Sequence, residues 1–318
     1  MRWLEPEWRD EAEAWIREQA PFTGPIEQPH VYPWSTVLRV PTPDGDLWFK
    51  AVASEHAFEP ELSMLLAEAF PDRVAELLAI DPARRWMLMR DAGTRLREHE
   101  GAGLRDWEAV LPRYAEIQIA LAPRAAELLG LGVPDQRLAG LAEEVEALLE
   151  DDEALLLDQP QGLTSQQRGE LRARMPELRR LVEELEGAGI PETIQHDDLH
   201  DGQVFVKDGR YVISDWGDSC VSHPFHTLTV TLRVIAWRQK LEPCSEALLR
   251  LRDAYLEPYG ADAALAGLAY RTGTLGRALA WHRHMQAREP EQWDREDAES
   301  VPYGLRLFLE NGPIGTWE

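Results

Sequence analysis

The chain is 318 residues long, enough for one large domain or two lobes with cores of their own. Apolar residues make up 44% of it and the formal net charge is −24, which excludes a disordered chain and argues against nucleic acid or an anionic membrane as a partner. No run approaches the ~18 consecutive apolar residues of a membrane span, residues 1–7 lack an apolar signal core, and two cysteines, Cys220 and Cys244, speak for a reducing cytosol and against a disulfide framework.

Residues 2–20 carry Trp3, Leu4, Trp8, Ala12, Trp15 and Ile16 at helical spacing, so an amphipathic helix is expected there. Val31, 36–40 and 47–52 read as strands, the last two joined by the turn Pro41-Thr42-Pro43-Asp44-Gly45. A helix is expected over 59–70, ended by Pro71, then short strands at 76–80 and 86–89. Arg90-Asp91-Ala92-Gly93 has the character of a hinge. Beyond it the composition turns to Leu, Ala, Glu and Arg, and helices are expected over 104–130, 137–157 and 164–188. Further helices are expected over about 224–240, 244–258, 262–287 and 296–311. The carboxylate-rich run 143–153 is most simply a solvated helical face. No internal repeat and no low-complexity linker interrupts this order.

Residues 193–219 are the most informative part of the chain. Two acidic clusters, His196-Asp197-Asp198-Leu199-His200 with Gln203 and Asp215-Trp216-Gly217-Asp218, flank a short hairpin. Val204-Phe205-Val206 and Tyr211-Val212-Ile213 are its strands, and Asp208-Gly209 is a turn signal. The hairpin should bring Asp198, Gln203 and Asp215 to one end of a ribbon. That suits a metal–phosphate site, with one carboxylate accepting a hydroxyl proton and an amide and a second carboxylate holding Mg²⁺.

The segment resembles the catalytic loop of the aminoglycoside phosphotransferase and choline kinase superfamily, the small-molecule relatives of the protein kinases. It matches at His196, Asp198, Leu199, His200, Asp215, Trp216 and Asp218, and departs at Gln203, where the family usually has Asn. The resemblance implies an α+β, protein-kinase-like bilobal fold. It puts a strand-rich N-lobe at 1–92, made of the N-terminal helix, an antiparallel sheet and one helix. A mostly helical C-lobe follows at 93–318, with the catalytic loop and the acceptor site. It implies an Mg²⁺-dependent kinase that moves a phosphoryl group from ATP or GTP to a hydroxyl of a small molecule. An amino sugar or another amine fits the acidity, although solubility explains the acidity as simply.

By this resemblance Asp198 is the catalytic base, Asp215 the principal Mg²⁺ ligand and Gln203 the second. Gln203 carries one more methylene than Asn, which moves the ligand outward. Lys50 resembles the third-strand lysine that contacts the nucleotide phosphates; a lysine there is otherwise an edge-strand surface residue. Its acidic partner is expected from the following helix, Glu59 first, then Glu61 or Glu68. The nucleotide-covering loop is Tyr32-Pro33-Trp34-Ser35-Thr36, where Ser35 and Thr36 offer hydroxyl and backbone N–H groups to phosphate. Neither G-x-G-x-x-G nor a Walker loop is present. The hinge at Arg90, Asp91 and Ala92 should meet the base.

Asp197 occupies a variable position of the family and is expected to face solvent. His196 and His200 are expected to brace the loop through backbone hydrogen bonds, since hard Mg²⁺ prefers oxygen ligands. Asp218 either meets metal or water, or caps the next segment. Trp237, Trp281, His282 and His284 are candidates for lining the acceptor site, although aromatics at helical spacing are commonly core. Two competing readings remain: a catalytically silent, kinase-like nucleotide-binding or regulatory protein, and a metal-dependent hydrolase. The hydrolase lacks further ligands at an appropriate spacing. The sequence is silent on oligomeric state.

Overall fold

The computed structural model of the chain describes residues 2–287 and 295–310. The chain divides into two compact units. One comprises residues up to His99 together with Leu131–Val133 and Gly202–Gly217. The other comprises Glu100–Gly130, Pro134–Asp201 and the residues from Asp218 onward. The hairpin and Asp215 therefore belong to the strand-rich unit, although they lie far along the chain.

In the strand-rich unit, α1 (Pro6–Gln19) starts with proline in its first turn, where no backbone donor is lost. Its Trp8, Ala12, Trp15 and Ile16 form one buried stripe. The stripe packs against an antiparallel sheet of β1 (Glu27–Val31), β2 (Ser35–Thr42), β3 (Gly45–Val52), β4 (Leu77–Asp81) and β5 (Trp86–Arg90), in the order β1-β2-β3-β5-β4. Trp15 meets Phe49 and Trp86 with ring centroids 5.8 Å apart in both cases. Strand alternation then assigns the two faces. Leu38, Val40, Leu47, Phe49, Ala51, Trp86 and Leu88 join the core under α1, whereas Val37, Trp48, Lys50 and Met89 line a cleft on the other side. The helix α2 (Glu59–Ala69) follows β3 and buries Glu59, Leu62, Ser63 and Leu66.

The hairpin has strands Val204–Lys207 and Arg210–Ile213, with Lys207 opposite Arg210. Asp208 and Gly209 have φ of 51° and 72°, two consecutive positive values that a two-residue hairpin turn of this kind requires. Gly93 has φ of 98°, and a Cβ there would lie 2.3 Å from the carbonyl oxygen of Val206. Only glycine lets the hinge pass under the hairpin, after which β6 (Thr94–Arg95) pairs with Val206 and Phe205.

The other unit is built from α3 (Leu104–Leu121), α4 (Ala125–Gly130), α5 (Leu138–Leu148), α6 (Ser165–Ala173), α7 (Met175–Gly187), α8 (Thr227–Gln239), α9 (Glu246–Leu256), α10 (Ala263–Gln286) and α11 (Arg295–Leu309). Three expected helices are shorter than their composition suggests. The one over 104–130 is interrupted by the 3₁₀ turn Ala122–Arg124, which contains Pro123. The one over 164–188 breaks at Arg174, because Pro176 has no N–H to continue the ladder. The one over 137–157 stops at Leu148, and the chain then turns through Leu156 and Asp158 at positive φ. The expected end of the last helix, at residue 311, lies outside the described residues.

Candidate active site

A cleft of about 350 Å³ lies within the strand-rich unit. Its walls include His30, Ser35, Lys50, Glu59, Asp91, Gln203 and Asp215, with Val37, Val74, Met89 and Phe205 as apolar surface. At its centre Lys50 Nζ donates to Glu59 Oε1 at 2.6 Å and to Asp215 Oδ1 at 2.5 Å. Burial opposes the charged lysine, but the carboxylates of Asp215 and Glu59 outweigh it and hold its pKa above the ordinary lysine value. The two carboxylates differ in access. The Glu59 side chain is 1% exposed and the Asp215 side chain 46%. Among the glutamates of α2 considered for this role, Glu59 is the one that meets Lys50.

Local backbone explains the placement. Asp215 has φ of 67°, a left-handed conformation that Asp tolerates better than most residues. Gly217 lies tight against the cluster: a Cβ there would be 2.9 Å from Glu59 Oε2 and 3.4 Å from His56 Nδ1. The buried His56 ring holds the Gly217 carbonyl oxygen at 2.7 Å. His56 has no sequence signal beyond its position three residues before Glu59, and sequence reasoning missed it.

Ser35 lines the cleft, and its Oγ lies 3.2 Å from His30 Nε2. His30, also missed, has its pKa lowered chiefly by burial, against the raising influence of Asp215. Thr36 is not among the lining residues. It shares the core-facing parity of Leu38 and Val40, is fully buried, and donates its hydroxyl to the His30 carbonyl at 2.8 Å. Adjacent strand residues point to opposite faces, so Ser35 and Thr36 do not share the cleft. Asp91 accepts the Trp48 indole N–H at 3.0 Å, and its carbonyl oxygen accepts from Lys207 Nζ at 2.6 Å.

Asp198 belongs to the helical unit. There Thr193–Gln195 pairs with Cys220–Ser222 in a two-stranded ladder that leads into the loop. The N–H of His196 donates to Tyr114 Oη at 2.8 Å, and its ring Nδ1 accepts the N–H of Asp198 at 3.4 Å. The His200 ring comes within 3.3 Å of Asp198 Oδ2. Asp197 does not face solvent: it is 5% exposed. With φ of 60° its side chain turns inward, where Oδ2 meets Arg277 Nη1 at 3.0 Å. Burial raises the Asp197 carboxyl pKa, and Arg277 works against that rise. Arg277 also reaches Asp198 Oδ1 at 3.4 Å and lies 3.8 Å from Asp218 Oδ2. Nothing in the sequence ties Arg277 to a loop so distant along the chain.

Among the acceptor-site candidates, Trp237 is 71% exposed on α8. His284 Nε2 lies 3.2 Å from Asp218 Oδ1, His282 Nε2 lies 3.0 Å from Asp151 Oδ2, and Trp281 lies under the Arg277 guanidinium.

Comparison with known proteins accords with this geometry. The model of the phosphotransferase enzyme family matches residues 30–271. No curated protein matches the chain. Solved structures share the fold at low identity. A choline/ethanolamine kinase family protein from Mesorhizobium loti has 18% identity and a TM-score of 0.61, with 95% of each chain covered. A choline kinase from Cryptosporidium parvum has 9% identity and a TM-score of 0.64, again with 95% of each chain covered. An amicoumacin kinase in complex with AMP-PNP and Ca²⁺ has 13% identity and a TM-score of 0.58, over 96% of this chain and 94% of that one. These are kinase-like folds, with the antiparallel sheet and the helical region both present here.

Proposed function

We propose that this chain, which belongs to the phosphotransferase enzyme family, is a small-molecule kinase that moves the γ-phosphoryl group of ATP or GTP to a hydroxyl, with Mg²⁺. The buried Lys50 between Glu59 and the half-exposed Asp215 carries the reading. A cation fixed by a buried carboxylate, in a cleft of this size, suits phosphate oxygens. The nucleotide analogue in the amicoumacin kinase complex supports the same donor class.

The donor set fits a hard divalent cation: the Asp215 carboxylate is 46% exposed, and Gln203, whose side chain carries an amide oxygen, lines the same cleft. When bound, Mg²⁺ supplies neutralisation of phosphate charge. Asp215 and Gln203 are its proposed ligands. Lys50, held by Glu59, steadies the donor phosphates, Ser35 offers them a hydroxyl, and the segment at Asp91 flanks the base. Thr36 lies in the core instead, with its hydroxyl on the His30 carbonyl. Asp198 accepts the proton of the attacking hydroxyl as the new P–O bond forms and the diphosphate leaves with the electrons of the old one. The acceptor class favoured by the net charge of −24 is an amino sugar or another amine. Among the described residues Cys220 and Cys244 form no disulfide, which is consistent with a cytoplasmic setting.

Calorimetric titration with ATP and with GTP, with and without Mg²⁺, tests the donor site. Mg²⁺-dependent binding that weakens at least about tenfold in Asp215→Ala is expected; no binding of either nucleotide would sink the reading. Gln203 favours one rival, a silent nucleotide-binding protein. A wild-type protein that binds nucleotide but turns over only as Gln203→Asn would support it.

A further inference from the structure

Arg277 is the feature of the helical unit that the roles above leave unused. Its side chain is only 11% exposed and faces Asp197, Asp198 and Asp218, all on the loop side of α10. The helix comes close to α8: a Cβ on Gly273, one turn before Arg277, would lie 2.4 Å from Thr229 Oγ1. Gln136 Nε2 holds the Gly276 carbonyl at 2.8 Å, and the guanidinium lies 5.3 Å from the Trp281 ring centroid. These contacts restrict both the backbone and the rotation of the guanidinium plane.

Asp197 is anchored independently. Its N–H donates to Gln195 Oε1 at 2.6 Å, and its Oδ1 accepts from Gln195 Nε2 at 3.0 Å. Its remaining oxygen takes Arg277 Nη1 at 3.0 Å, while Nη2 of the same planar fork reaches Asp198 Oδ1 at 3.4 Å. The other Asp198 oxygen has His200 Nε2 at 3.3 Å. The guanidinium thus spans two successive carboxylates, one structural and one reactive.

We propose that Arg277 is a positioning residue for phosphoryl transfer: anchored on Asp197, it orients the Asp198 carboxylate toward the acceptor hydroxyl. The proposal rests on the reading of Asp198 as the base. The bland alternative is that Arg277 only compensates the buried charge of Asp197. The double variant Asp197→Asn/Arg277→Gln separates the two, because it removes the buried charge and its counter-charge together while Asp198 loses its arginine.

The assay is Mg²⁺-dependent phosphate release from ATP by the full chain, with water as the hydroxyl acceptor. Turnover by the wild type above that of Asp198→Asn is the reference. Its absence overturns the kinase reading and this proposal together, whereas the variants decide on Arg277 alone. The double variant is expected to melt within a few degrees of wild type and to keep its KM for ATP within about twofold, while kcat falls about tenfold to a hundredfold. Millimolar guanidinium should recover part of the kcat of Arg277→Ala and none of that of Asp198→Asn. Wild-type kcat in the double variant overturns the proposal. Should that variant fail to fold, Arg277→Lys keeps the charge and loses the fork; wild-type kcat there is equally fatal.

Discussion

Lys50 in the strand-rich unit and Arg277 in the helical unit are both buried cations that face more carboxylates than they can neutralise, yet they are held differently. Lys50 is an ammonium with one fixed partner, Glu59, and one partner open to solvent, Asp215. Arg277 is a planar fork whose carboxylate partners among the described residues lie on one loop and the segment after it. A point charge can share itself with incoming phosphates without losing its anchor, whereas a fork with matched partners fixes orientation. The difference suits a ligand-exchanging cluster in one unit and a geometry-setting cluster in the other.

Removing the carboxylate proposed as the base tests the helical unit most severely. Asp198→Asn should lower turnover by about 10²–10⁴-fold, the usual range for a lost general base. Nucleotide affinity measured by calorimetry should stay within a few-fold, since the cleft proposed for the donor is walled by residues of the other unit. Full activity in that variant would end the assignment of Asp198.

Lys50→Met attacks the other cluster. It removes the ammonium that the buried Glu59 and Asp215 share, and should cost about 3 kcal/mol of stability in urea denaturation, together with weaker nucleotide binding. Wild-type stability would show that Glu59 is protonated or rehydrated at little cost, and would erase the contrast between the units.

The smallest effect concerns acid. His223 and His226 are buried in the helical unit and stay neutral, because burial drives the pKa of His223 down to about 3 and that of His226 well below 6.5. His226 is held by Ser222 Oγ at 2.8 Å and Thr272 Oγ1 at 2.9 Å. Once unfolded, both take up a proton below about pH 6.5. Their contribution to stability is therefore complete above that pH and is lost as pH falls toward 3. By pH 5 His223 alone should have cost about 2 kcal/mol. Urea midpoints at pH 7 and pH 5 check this, and His223→Asn should flatten the slope.

Much of this was legible in residue order. The period-2 strands 36–40 and 47–52, the amphipathic N-terminal helix and the Asp208-Gly209 hairpin are local patterns, and each appears close to its expected bounds. The family resemblance singled out Lys50 and Asp215, which the structure brings together in one cleft. Two of the helices that broke early did so at Pro123 and Pro176, where composition alone is a weak guide. The strand alternation that separates Ser35 from Thr36 was also present in the sequence, once the face carrying Leu38 and Val40 is known to be the core.

By itself, then, the sequence determined the order of strands and helices, the turn chemistry and the acidic motif, because these depend on neighbours a few residues apart. The tertiary structure alone decided that Gly217 packs on the Glu59 carboxylate and that Asp197 turns inward to an arginine eighty residues later. Those pairings join residues far apart in the chain, and what selects them is burial: a charge removed from water must find its partner wherever packing brings one.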